Sequence, residues 1–249
     1  MSCSVLILAK NEEKNIRDCV LSCSGFADEV IVIDDFSEDN TAIIASQIGA
    51  KIIQRSMAGN WGAQQTFAIE QATSDWVFFI DADERCTPDL AAEIKKIVQT
   101  KNFAAYWVRR LNFFNHKRVK HGMLSPDWVA RLLPREGSSV EGYVHPKIIF
   151  NAPEKKLKGN MLHYTYETWD QIERKMQKYS SLAAKKYHQE GKKSHFIIDV
   201  SIRPFFAFIK MYFFKLGFLD GTIGLALSIN YANYTLSKYF KLYELNSRQ

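Results

Sequence analysis

The apolar run Trp76-Val77-Phe78-Phe79-Ile80 ends in Asp81-Ala82-Asp83. Two carboxylates at the end of a buried strand, with no base directly beside either, repel one another unless a divalent cation or a proton intervenes. The spacing predicts a metal site. Two similar runs also end in polar clusters: Val5-Leu6-Ile7-Leu8 leads to Lys10-Asn11-Glu12, and Val30-Ile31-Val32-Ile33 leads to Asp34-Asp35.

The elements that must position these groups follow a βαβ rhythm. Each apolar run reads as a short strand followed by a helical pattern, with a further strand at Lys51-Ile52-Ile53-Gln54 after the helix stop at Gly49. Helices are predicted near residues 12–23, 39–48 and 62–72. Such alternation builds a doubly wound, parallel α/β sheet whose ligands bind beyond the carboxyl ends of the strands. The three clusters are therefore expected in one crevice. A dinucleotide fold is disfavoured, because the first turn, Ala9-Lys10-Asn11-Glu12-Glu13, lacks the glycines that admit a pyrophosphate, and no GKS/GKT phosphate loop occurs.

The chain has 249 residues, 47% of them hydrophobic, and a net charge of +6, enough for a sizeable core and in favour of an anionic partner. That partner could be a nucleotide sugar, a phosphorylated glycolipid, an anionic membrane or a nucleic acid. The last is disfavoured: the basic residues are scattered and neither a zinc-finger spacing nor an RNP-like strand occurs. The cysteines, Cys3, Cys19, Cys23 and Cys86, show no CxxC spacing, and no basic segment with a cleavage site precedes the first strand. A cytosolic, reduced protein is expected, with Cys19 and Cys23 used in helix packing.

The ordered set Ser4-Val5-Leu6-Ile7-Leu8-Ala9-Lys10-Asn11-Glu12, Val32-Ile33-Asp34-Asp35-Phe36-Ser37-Glu38-Asp39-Asn40-Thr41 and Phe79-Ile80-Asp81-Ala82-Asp83 resembles family 2 glycosyltransferases. Within that family it is most similar to small bacterial enzymes that add a sugar, often glucose, to lipopolysaccharide or lipooligosaccharide cores. The resemblance covers about the first 165 residues. It implies a GT-A-like, mostly parallel α/β domain over residues 1–165, a nucleotide-diphosphate sugar donor such as a UDP-sugar, inversion at the anomeric carbon, and a glycan or glycolipid acceptor.

The same resemblance implies roles. Asp34 and Asp35 accept hydrogen bonds from the nucleoside, in a pocket lined by Ala9, Asn11 and Glu12. Asp81 and Asp83 hold Mg²⁺ or Mn²⁺ across the diphosphate, with Ala82 between them. Gln64, in Gly59-Asn60-Trp61-Gly62-Ala63-Gln64-Gln65, faces the donor, and the same stretch is also a good turn sequence. The base that takes the acceptor's proton aligns with Asp127 in Ser125-Pro126-Asp127-Trp128-Val129-Ala130-Arg131-Leu132, expected at a helix start, with Glu141 as substitute. Pro126 stands where the family has a first acid. Of His145 and His163, His145 better fits the order of a histidine that completes the metal shell. The aromatic run 105–114 reads as a strand on the acceptor side.

Residues 166–249 form a helical extension. Thr168-Trp169-Asp170-Gln171 is a capping box opening a helix to about Glu190. Beyond Gly191, residues 203–219 set phenylalanines between spaced cations, as in an interfacial helix, and Lys210, Lys215 and Asp220 interrupt any membrane span. Peripheral attachment at the inner face of the cytoplasmic membrane is expected. The rival enzyme class is the haloacid-dehalogenase-type phosphatase, which also carries Asp-x-Asp at a strand end with Mg²⁺. Its pattern wants Thr or Val where Arg85 stands, and it would not place three strands before the motif. A catalytically inert sugar-nucleotide-binding module is the non-enzymatic alternative.

Overall fold

Alternating side chains along the four apolar runs must be covered on two faces, and this requirement sets the architecture of the computed structural model, which describes residues 1–100, 103–142, 147–150 and 152–248. The first elements are β1 (Cys3–Ala9), α1 (Ile16–Cys23), β2 (Glu29–Asp34), α2 (Thr41–Gln47), β3 (Lys51–Gln54), α3 (Trp61–Gln71), β4 (Trp76–Asp81), β5 (Glu84–Cys86) and α4 (Pro88–Val98). The chain continues through β6 (Ala105–Phe114), β7 (Lys117–Arg118), β8 (Asp127–Pro134), β9 (Ser139–Glu141), β10 (Lys147–Ile149) and β11 (Glu154–Tyr166). The main sheet runs in the order β3-β2-β1-β4-β8-β6-β11-β5, with β7 beside β6.

The sheet changes character at β4. Pairings among β3, β2, β1 and β4 are parallel, as the βαβ rhythm predicts, whereas β4/β8, β6/β8 and β5/β11 are antiparallel. One face buries Val5, Ile7, Val32, Trp76, Phe78 and Ile80 against α1 and α4. Leu6, Ile31, Ile33, Val77 and Phe79 meet Ala68 and Ile69 of α3 and Ala72 just after it on the other. Burying each such large apolar side chain stabilises the fold by about 1.5–3 kcal/mol, which makes β1 and β4 the rigid centre that carries the acidic loops. Cys3, Cys19, Cys23 and Cys86 are all buried free thiols.

The chain forms two compact units, residues 1–110 with 127–163 and residues 111–126 with 164–249. Residues 111–126, which precede the expected boundary at 165, thus group with the second unit. That unit contains α5 (Trp169–Gln189), whose capping box has Thr168 accepting from the Gln171 N–H while the Gln171 side chain accepts from the Thr168 N–H. The phenylalanine-rich segment is helical without a break from Phe196 to Phe214 and then turns at Leu216, short of the expected end at 219. It is a π-helical stretch Phe196–Ile202, α6 (Arg203–Ile209), a second π-helical stretch Lys210–Phe214 and a 3₁₀ turn Gly217–Asp220, before α7 (Gly221–Ser247). Leu216 at φ 57° turns the chain, and a Cβ on Gly224 would lie 1.8 Å from the Gly217 carbonyl oxygen, so close approach at that corner requires glycine. No helix among the described residues is long and apolar enough to cross a membrane.

Candidate active site

The loops after β1 and β2 are stitched together by their own polar groups. Asn11, at φ 56°, donates its N–H to Ser37 Oγ at 2.9 Å and accepts the Glu38 N–H at 2.9 Å. The Glu12 N–H donates to Thr41 Oγ1, and the Glu13 N–H to Asp39. These bonds divide the Asp34-Asp35 pair. Asp34 is fully buried and its carboxylate accepts from the Ser37 N–H and the Gln54 amide. Asp35 accepts from the Met57 N–H at 3.0 Å and faces Lys10 Nζ at 3.3 Å while remaining 17% exposed. Asp34 shapes the loop, and Asp35 is the carboxylate of the pair that stays partly open to solvent. Ala9 is 5% exposed and its carbonyl accepts from the Asp35 N–H, so it contributes backbone alone.

Gln64 turns inward. It is 1% exposed, its amide donates to the Arg55 carbonyl and its oxygen accepts from the Arg55 guanidinium. Both ends are occupied, and the side chain ties α3 to the chain after β3. Asn60 caps α3 by accepting from the Ala63 N–H, and a Cβ on Gly62 would lie 2.6 Å from the Gly142 carbonyl oxygen, so the helix start sits directly against the end of β9.

The acidic element at the end of β4 is not short of cations. Asp81 accepts from Arg131 at 2.6 Å, and the same guanidinium nitrogen lies 2.7 and 2.8 Å from the two oxygens of Glu84. Arg131 arrives fifty residues later in the chain, through an irregularity in β8. The β6/β8 register passes from Tyr106↔Leu132 to Trp107↔Ala130, which leaves Arg131 as an extra residue on β8, and such a bulge re-aims its side chain. Burial opposes ionisation of Asp81, yet the charge and hydrogen bond of Arg131, helped by Arg110 and His163, hold its carboxyl below the usual range. For the fully buried Glu84, burial outweighs Arg131 and raises the pKa, with the Asp81 charge adding to the rise.

Asp127 opens β8, not a helix, because Trp128 to Leu133 pair with β6 and then β4 on an extended backbone. Arg110 grips its carboxylate with two bonds, 2.8 and 3.1 Å, and reaches Glu84 at 3.2 Å. The result is a continuous chain of charges, Asp127, Arg110, Glu84, Arg131 and Asp81. Glu141 closes β9 and is exposed.

Asp83 follows in the tight turn between β4 and β5. Its carboxylate lies 3.5 Å from His163 Nε2, because the β5/β11 ladder sets His163 opposite Glu84. The Asp83 charge also raises the pKa of Glu12, a carboxyl already pushed up by burial and partly relieved by Asn15. Ala82 is 3% exposed, and its carbonyl accepts from Arg85 at 2.8 Å. His145 lies outside the described residues.

The donor set suits an ion completed by substrate. Among the described residues no three His, Cys, Asp or Glu side chains converge into a ready-made cage. Mg²⁺ and Mn²⁺ are commonly held by one or two carboxylates with phosphate oxygens and water filling the remaining positions. Asp83 with His163 offers such a partial shell, while Asp81 has one oxygen engaged by Arg131. Sequence reasoning named the acids of this site and missed their partners. Glu84 stood beside the motif as a third acid and Arg131-Leu132 fits the Arg-Leu pair that the resemblance places after the base, but nothing local tied Arg110 or Arg131 to these acids, since only antiparallel pairing brings them there.

An open α/β sheet with acidic loops at the carboxyl ends of β1, β2 and β4 is the layout of an enzyme that binds its ligand across strand ends. Residues 4–154 match the model for Glycosyl transferase family 2, and the chain belongs to that family. It is 32% identical to an uncharacterized glycosyltransferase of Rickettsia typhi, over 98% of this chain and 87% of that protein. The lipopolysaccharide core biosynthesis glycosyltransferase LpsC of Rhizobium meliloti is 27% identical, over 98% of this chain and 94% of its own length. Among solved structures, glucosyl-3-phosphoglycerate synthase from Mycobacterium tuberculosis in complex with Mn²⁺, UDP and phosphoglyceric acid is similar with a TM-score of 0.45 and 19% identity, over 69% of this chain and 73% of that one. The phosphatase alternative does not survive the family membership.

Proposed function

We propose that this glycosyltransferase moves a hexose, glucose in the first instance, from a UDP-sugar or other nucleotide-diphosphate sugar to a lipopolysaccharide-core or other cell-envelope glycan, with inversion at the anomeric carbon. The observation that carries the proposal is the juxtaposition of Asp83 and His163, 3.5 Å apart, beyond the end of β4, together with the partly exposed Asp35 after β2. Family membership supplies the reaction class, and the similarity to LpsC along nearly the full length of both chains supports the acceptor class.

Asp35 binds the nucleoside, and Asn11 and Glu12 line its pocket. Asp83 and His163 would hold Mg²⁺ or Mn²⁺, which supplies charge neutralisation for the departing diphosphate when bound. Asp127 takes the proton from the acceptor hydroxyl, and Arg110 fixes its direction through the two-bond grip. Glu141 is the second candidate for that proton. The second unit, with its exposed phenylalanines, attaches the enzyme peripherally to the inner leaflet, where a lipid-linked acceptor is presented.

The test is a panel of UDP- and GDP-sugars incubated with the purified chain and Mn²⁺. Release of nucleoside diphosphate from one donor, abolished in Asp83→Ala and restored to no degree by added acceptor, is the expected result. Silence across every donor, with or without a lipopolysaccharide-core acceptor, would sink the reading, and donor binding without turnover would favour the inert module.

A further inference from the structure

Charge is divided unequally between the two units. Residues 111–126 and 164–249 hold sixteen Lys or Arg against seven Asp or Glu, whereas residues 1–110 and 127–163 hold seventeen against twenty. The second unit alone accounts for the excess of cations. Within it three cations converge on three tyrosines. Lys238 Nζ lies 4.5 Å from the ring centroid of Tyr239, 5.3 Å from Tyr187 and 5.5 Å from Tyr234. Arg203 stands 5.0 Å from the Tyr239 ring, and Lys192 4.0 Å from the Tyr187 ring. The Tyr187 and Tyr239 rings are themselves 6.2 Å apart.

The cations differ in how they are neutralised. Arg203 is paired with Asp199, and Lys192 with Glu190 at 2.8 Å. Among the described residues no carboxylate pairs with Lys238. Its pKa is lowered by burial first, then by Arg203 and Lys192, so the ammonium is held in place by ring faces among like charges. Rings can fix a cation, but they carry no net charge to cancel it.

The segments that bear Lys192 and Arg203 lead straight into exposed apolar surface. Phe196, Ile197 and Ile198 are 52–71% exposed, and Phe205, Phe206, Phe213 and Phe214 are 51–80% exposed. Eleven of the exposed large apolar side chains lie between Phe196 and Leu219. Cations beside such a surface match the chemistry of an anionic bilayer, with acyl chains for the phenylalanines and phosphate for the ammonium.

We propose that Lys238, Lys192 and Arg203, fixed on Tyr187, Tyr234 and Tyr239, form a binding site for the phosphate of an anionic phospholipid headgroup that orients the apolar segment 196–219 on the membrane. The proposal rests on the reading that this unit attaches to a membrane, and it adds which group selects the lipid. The tyrosines hold the cations pre-aimed, so little side-chain freedom is lost on binding. The phenylalanines supply partition into the interface, and the cation cluster supplies preference for negative lipid.

Sedimentation of the full chain with vesicles of phosphatidylcholine alone, and of phosphatidylcholine with phosphatidylglycerol, tests both levels. The expected result is tighter binding to the phosphatidylglycerol vesicles, reduced about fivefold in Lys238→Gln and roughly 100-fold in the variant with Lys192→Gln, Arg203→Gln and Lys238→Gln, on the scale of one surface cation each. Lys238→Arg should restore binding, and a circular-dichroism melt reports whether each variant is folded. Equal binding of the wild-type chain to both vesicle types, or unchanged binding of the triple variant, overturns the phosphate site while leaving membrane attachment standing. Absence of binding to either vesicle overturns both.

Discussion

The two units use the same kinds of residue in opposite ways. In the first, aromatic rings such as Trp76, Phe78 and Phe79 are inside, and Glu84 and Arg131 are inside with them. In the second, phenylalanines at 205, 206, 213 and 214 face outward, and lysines ride on the faces of tyrosines. A buried charge is stable only where a partner and hydrogen bonds replace its water, so the first unit carries its chemistry in a connected network in which each member depends on the next. The second unit spends little stability on its exposed rings and cations, which leaves them available to a partner.

The contrast can be broken at its strongest point first. Arg131→Met removes the cation shared by Asp81 and Glu84 and leaves the buried Glu84 with Arg110 alone, so urea unfolding should register a loss of about 3–5 kcal/mol. Lys238→Gln in the second unit should stay within about 1 kcal/mol by the same measurement. Comparable losses in the two variants would erase the distinction.

Next in size is Asp83→Ala. Its side chain is partly exposed and joined to His163 rather than to an arginine, so folding should be nearly unaffected while sugar transfer falls by roughly 10²–10³, the scale of removing one group that stabilises developing charge. Steady-state assays with the active donor, alongside a melting curve, separate the two effects. In the second unit the counterpart is Phe213→Ser with Phe214→Ser. Loss of vesicle binding by about tenfold or more is expected, since burying one such ring is worth about 1.5–3 kcal/mol, with an unchanged melt.

The smallest effect concerns pH. Asp81 has a folded pKa below its ordinary value of 3.8, so its ion contributes stability that is fully present above 3.8 and is lost as pH falls through the folded value. The stability gap between the wild-type chain and Asp81→Asn should therefore be constant from neutral pH down to about 3.8 and close below it. A gap that widened on acidification would mean that Arg131 does not govern this carboxyl.

How far the sequence reveals these features depends on how local their causes are. The four parallel strands, the three helices between them and the capping box at Thr168 follow from periodicity and from residues within four positions of one another. The acids at strand ends are equally visible. What stays hidden is the pairing: Arg131 meets Asp81 only because β8 runs antiparallel to β4, and His163 meets Asp83 only because β11 lies against β5. The helix expected at Asp127 fails for the same reason, since pairing with β6 overrides a sequence that reads as a helix start. Asp34 and Asp35 look identical in the sequence, and only the fold, which aims the Ser37 N–H at the first and leaves the second partly exposed, separates a buried loop brace from an open carboxylate.

The additional residue in β8 has a further consequence. Leu132 and Leu133 are locked in phase with β4, while Asp127 to Ala130 follow β6 one step out of that phase. Deleting Arg131 would close the irregularity and leave Ala130 opposite Trp107 and Asp127 opposite Arg110, so the pairing of β8 with β6 would survive while Asp81 and Glu84 lost the cation they share. The extra residue is thus held for its side chain, which reaches Asp81 and Glu84, and not for the register of the strand that carries it.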